Sequence, residues 1–194
     1  MLSKRLTDYA QPAGKEYLPN NSADCVIFGY HEKQLKILCT RVSGINGWLL
    51  PGGFIKKNEP LDDAANRVLI ERTGLKGLFL KQFYTFGNTN RSWKKIHRNT
   101  LQKKIGAGSA LPLNWMSDRY ISTGYYALTE FSKVNAKPAL IESECRWFDH
   151  DHLPGLLLDH SEMVKKAFVT LRLQIHHEPI GYNLLPEKFT LPEF

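Results

Sequence analysis

The stretch "GGFIKKNEPLDDAANRVLIERTGL", Gly52 to Leu75, constrains the fold more than any other part of this sequence. A proline and two glycines lead into a short polar loop, and a helix follows with both of its ends marked. Pro60 suits the first helical position, because its missing N–H has no intrahelical partner there. Asp62 and Asp63 complement the positive end of the helix dipole, and Gly74 closes the other end. The pattern predicts a helix over Leu61–Thr73, roughly three and a half turns long. Residues three and four apart share a helix face. Side chains at positions 68, 71 and 72 are therefore expected to converge beside the Gly52–Gly53 loop, with Glu59 on the approach. Glycine there would let the loop turn tightly and let a phosphate approach the backbone.

The flanking sequence predicts an α+β fold with a mixed sheet between helices. "DCVIFGYHEKQLKILCTRV" reads as two strands around a turn at His31–Lys33, with Val26, Phe28 and Tyr30 alternating. "GWLLPGGF" reads as a strand that runs into a tight loop. Further strands are expected over Leu78–Gly87, over Arg119–Phe131 and from Cys145 towards Pro154. Met163, Ala167, Leu171 and Ile175 recur at helical spacing and predict a second helix over Asp159–His177.

Composition narrows the class. The 194 residues suffice for one domain with a core. No apolar run approaches the ~20 residues of a membrane span, and the first residues lack the apolar segment of a secretory signal. Residues 1–22 read as a polar lead-in. Cys25, Cys39 and Cys145 are few and widely spaced, which fits reduced thiols in the cytoplasm. The net charge of +7 favours anionic partners. Between residues 91 and 118, Arg91, Lys94, Lys95, Arg98, Lys103 and Lys104 face a single acid, Asp118. This segment reads as a solvated surface insertion or as a basic arm for DNA or a partner.

Gly52 to Leu75 resembles the Nudix box. Gly53 is followed after five residues by Glu59 and after seven more by Arg67, and Leu69, Glu71, Gly74 and Leu75 fall in register. The resemblance covers about 24–177 and implies the Nudix fold, an α/β/α sandwich with the box at its site. In a Nudix hydrolase the box acids hold Mg²⁺ or Mn²⁺, which polarises a diphosphate and helps generate the attacking hydroxide. This sequence departs from the box at two of its acids: Val68 offers no ligand, and Arg72 brings a fixed positive charge. Glu71 and Glu59 remain as candidate catalytic and metal-binding acids, with Glu142 or Glu144 as a more distant ligand. The resemblance gives Arg67 and Gly74 structural roles.

The closer resemblance is to Nudix-related transcriptional regulators of the type that controls NAD-metabolism or sugar-utilisation genes. "LLLDHSEMVKKA" and "GYNLLPEKFTLPE" are similar to their last Nudix helix and their entry into a winged helix. Thr190 and Glu193 have capping-box spacing, which announces a helix. The implied organisation is a Nudix-like domain over 23–178, then a linker and the start of a truncated winged helix over 179–194. The implied function is sensing a nucleotide-sugar, ADP-ribose-like or sugar effector with little or no hydrolysis and no required cofactor. DNA would be read through the missing winged helix, and a homodimer would match two-fold operator half-sites. The alternatives are a hydrolase that uses Mg²⁺ or Mn²⁺ to cleave a nucleoside diphosphate linked to another moiety, and a fold kept as a protein-interaction module. Expected ligand contacts are Gly52, Gly53, Phe54, Arg72, Phe86 and Tyr125, with Trp48 as a further aromatic. His160 is expected to be structural.

Overall fold

The computed structural model describes residues 16–43, 45–91, 119–134, 136–138 and 142–184. Its strands are β1 (Tyr17–His31), β2 (Gln34–Val42), β3 (Gly52–Lys56), β4 (Lys81–Phe86), β5 (Ile121–Glu130) and β6 (Glu142–Asp149), and its two long helices are α1 (Leu61–Thr73) and α2 (His160–Gln174). All six strands belong to one mixed sheet of order β4-β5-β1-β2-β6, with β3 paired to β1 off that path.

β1 organises the sheet. Its last residues, Phe28 to His31, pair antiparallel with β2. Its first part pairs antiparallel with β3, from Tyr17 opposite Lys56 to Asp24 opposite Gly52. β5 runs parallel along it from Asn21–Ile121 to Tyr30–Glu130. β1 is therefore a central strand covered on both faces, and such strands read as near-continuous apolar runs. Ala23, Cys25 and Ile27 join a core with Ala65 and Leu69 of α1. Val26 and Phe28 join a second core with Met163, Val164, Ala167 and Leu171 of α2. The alternation along β1 thus separates two cores, one under each helix.

The ends of α1 follow from local chemistry, with one shift. Pro60 has an extended backbone and takes the N-cap position rather than the first helical one. Gly74 adopts a left-handed φ of 75°, and its N–H donates to the Ile70 carbonyl at 2.8 Å. This conformation is costly for a residue with a Cβ. The second helix ends three residues short of His177, since 175–177 form a turn.

Other expectations are corrected. β1 begins at Tyr17, inside the stretch read as a polar lead-in, because Tyr17 is buried and pairs with Lys56. Pro179–Leu184, expected to begin the linker, form a short 3-10 segment whose Ile180 is fully buried in the core under α2. In "GWLLPGGF" the strand follows Pro51, while Trp48 and Leu49 make only isolated bridges to Leu156 and Thr40. Residues 92–118 and the capping box at Thr190–Glu193 lie outside the described residues.

Candidate functional site

Gly52 and Gly53 lie in β3, and their lack of a Cβ serves close packing. An added Cβ at Gly52 would lie 1.8 Å from Asp24 Oδ1. One at Gly53 would lie 2.9 Å from Val68 Cγ2 and 3.7 Å from Arg72 Nη2. The paired glycines therefore admit the Asp24 side chain of the neighbouring strand on one face of β3 and helix α1 on the other. They are not the tight turn expected from the sequence.

The turn lies beyond them, between Lys56 and Leu61, and Arg67 holds it. Arg67 Nε donates to Glu59 Oε2 at 2.8 Å, and Nη2 donates to Glu59 Oε1 at 2.6 Å and to the Phe54 carbonyl at 2.7 Å. Nη1 donates to Glu71 Oε2 at 2.9 Å. Glu59 Oε1 also accepts from the Lys56 N–H at 2.6 Å. These bonds from Arg67, together with the one from the Lys56 N–H, hold the Glu59 carboxyl below the usual carboxylate range. Both remaining box acids are thus engaged by one guanidinium.

The two departures from the box sit next to each other. Val68 is fully buried. Arg72, 5% exposed, donates from Nε to the Gly52 carbonyl at 2.9 Å. Cys145 of β6 reaches the same helix end, with Sγ 3.4 Å from the Arg72 carbonyl oxygen. Glu144 faces elsewhere and pairs with Arg146 at 2.7 Å and Arg41 at 3.8 Å. The fit to Mg²⁺ is poor. Position 68 is apolar, position 72 is cationic, the Gly52 carbonyl accepts from Arg72, and Glu59 and Glu71 bind Arg67. Among the described residues no group of three or more His, Cys, Asp or Glu is arranged to hold a metal ion.

The expected aromatic contacts separate. Phe54 is half-buried in β3, edge-on to Tyr17 and Tyr120 at 6.3 and 6.2 Å between ring centroids. Tyr125 lies in the core under α1, and its hydroxyl donates to Asp62 Oδ1 at 2.6 Å. Phe86 lies in the core on the opposite face. The sheet therefore keeps Phe86 and Tyr125 apart. Trp48 is core, with the Arg41 guanidinium 4.5 Å above its ring.

Sequence reasoning missed the group directly behind β3. Arg91, grouped there with the basic insertion, is buried. Its Nη2 donates to Asp24 Oδ2 at 2.9 Å, and its Nε donates to Asp159 Oδ1 at 2.8 Å. Its guanidinium lies 4.9 Å from the Tyr120 ring. The Ser122 hydroxyl also donates to Asp24 Oδ2. Burial works against the charge on Asp24, but Arg91 and Ser122 outweigh it and hold this carboxyl below its usual value. His160 is buried beside them, and its Nδ1 accepts from the Leu50 N–H at 2.9 Å. Burial lowers its pKa and keeps the ring neutral. The structural role expected of His160 matches this bond. One signal for the group was present: an acid, Asp24, inside an apolar strand requires a buried partner.

The NUDIX domain family matches residues 18–168, and the chain belongs to it. A curated relative, the ADPR responsive transcriptional repressor NtrR of Acinetobacter baylyi, is 26% identical over 181 residues, or 90% of this chain. The chain spans 63% of that relative's length. Among solved structures, a MutT/nudix family protein from Enterococcus faecalis is 25% identical, with a TM-score of 0.66 over 100% of this chain and 78% of that one. The NUDIX domain of Shewanella oneidensis NrtR complexed with ADP ribose is 24% identical, with a TM-score of 0.59 over 85% and 97% of the two chains, and supports the fold.

Proposed function

We propose that this chain is the effector-sensing part of a transcriptional regulator and binds an ADP-ribose-like effector beside β3 and α1 without efficient hydrolysis. One observation carries the reading: Arg72 stands at an acid position of the box and bonds the Gly52 carbonyl. A guanidinium there supplies positive charge for a diphosphate where a hydrolase would hold metal. The effector class is supported by the name of the curated relative, an ADPR responsive repressor. Gly52, Gly53, Phe54 and Arg72 form the proposed contact surface, and Arg67 with Glu59 and Glu71 holds its shape. DNA reading is assigned to a winged helix in the whole regulator, which acts as a homodimer in the cytoplasm.

The test is ADP-ribose binding followed by thermal shift in EDTA. A ligand at a hundred times its Kd stabilises the folded state by about 2.7 kcal/mol. For a chain of this size that raises Tm by about 5–11 °C. Arg72→Ala is expected to weaken binding by about 1.5–3 kcal/mol, the range for a hydrogen bond to a charged group. Release of AMP in Mg²⁺ or Mn²⁺, abolished by Glu71→Gln, would overturn this reading in favour of a hydrolase.

A further inference from the structure

The segment leading into β3 is tied to the start of α2 at several points. The Leu157 N–H donates to the Trp48 carbonyl at 2.9 Å. The Leu50 N–H donates to His160 Nδ1. Asp24, in contact with Gly52, connects through Arg91 to Asp159. Between these ties Leu158 holds a left-handed φ of 58°. A residue with a side chain is strained there. Arg91 Nη1 and His160 Nε2 are buried and have no hydrogen-bond partner among the described residues. Stability alone does not call for this arrangement, since a well-packed apolar substitute for a buried ion pair is often as stable or more so. An arginine bridging two elements makes their positions depend on each other, which apolar filling does not.

We infer that Arg91 is a positioning residue of the effector surface: by bridging Asp24 and Asp159 it couples the placement of β3 to the placement of the α2 N-terminus. This rests on the reading that β3 and α1 take the effector, and it adds the route by which occupancy reaches the last long helix. Effector bound at β3 restricts Gly52, Gly52 restricts Asp24, and the guanidinium carries that restriction to Asp159 and the strained turn at Leu158. Lysine at position 91 keeps the charge but lacks the planar fork that engages both carboxylates.

Hydrogen exchange on the 194-residue chain tests the coupling, first without ligand. Arg91→Lys and Asp159→Asn are expected to speed exchange of the Gly52–Phe54 amides by about tenfold or more, the loss of one charge-assisted bond. Among the described residues Asp159 bonds Arg91 and makes no hydrogen bond to Gly52–Phe54, whereas Leu50 is tied directly to His160, so a purely local role would change exchange only at Leu50 and around 157–163. Acceleration confined to Leu50 and 157–163 in both variants would overturn the inference. With saturating ADP-ribose in EDTA, the unsubstituted chain should gain protection at both Leu50–Phe54 and His160–Val164, and the variants only at the former. Equal protection of His160–Val164 in all three proteins would also overturn it. Failure of ADP-ribose to bind the unsubstituted chain counts against the proposed effector, while the ligand-free arm still decides the coupling.

Discussion

Replacing Arg91 with methionine separates the buried reading of this residue from the surface reading of the basic insertion. Methionine keeps much of the volume and removes the charge. Asp24, 5% exposed, would lose its principal counter-charge, and Asp159 would lose two bonds from Nε, at 2.8 and 3.1 Å. Removing one partner of a buried pair costs about 3–5 kcal/mol, because the other charge stays buried without compensation. For a chain of this size the loss corresponds to a fall in Tm of about 6–20 °C. Urea unfolding followed by tryptophan fluorescence should show a lower midpoint with an unchanged m value. The deficit should also depend on pH. With Arg91 present, the Asp24 pKa is depressed, so its stabilisation is present above the unfolded value of 3.8 and is lost as pH falls through the folded value. Without Arg91, burial favours the protonated acid, so the gap between the two proteins should narrow towards pH 4. A pH-independent deficit under about 0.5 kcal/mol, the range of ordinary surface substitutions, would refute the buried ion-pair argument.

The lowered pKa of His160 predicts that stability falls as pH drops below 6.5, because the unfolded ring takes up a proton that the buried ring resists. Tm measured from pH 7.5 to 5 should show this slope, and His160→Gln should flatten it; an unaltered slope would assign it to another group. Gly53→Ala should cost about 1–3 kcal/mol by overpacking against Val68, and adding Val68→Ala should restore part of the loss in urea titrations. Gly52→Ala should cost more than Gly53→Ala, since its Cβ would meet a carboxylate bound to Arg91. Arg67→Lys cannot keep the fork to Glu59 together with the bonds to Glu71 and Phe54, and should speed tryptic cleavage after Lys57; an unchanged cleavage rate would contradict the role of Arg67 in holding the turn.

The limits of α1, the turn between β1 and β2, and the spacing that resembles the Nudix box were legible in the sequence because their causes are local. Pro60, Asp62, Asp63 and Gly74 act on backbone within one turn of themselves. The loss of acids at Val68 and Arg72 was equally visible, since it needs only the register. Contacts between distant residues decided the rest. Arg72 finds the Gly52 carbonyl 20 residues earlier, and Arg91 finds Asp24 67 residues earlier and Asp159 68 residues later. No local rule distinguishes such an arginine from its lysine-rich neighbours. Phe86 and Tyr125 are both aromatic and both in strands, yet the sheet assigns them to opposite cores. The glycines show the same division. Their position before the helix was plain from the sequence, but Asp24 and Val68, brought to the two sides of β3 by the fold, determine why no side chain fits there.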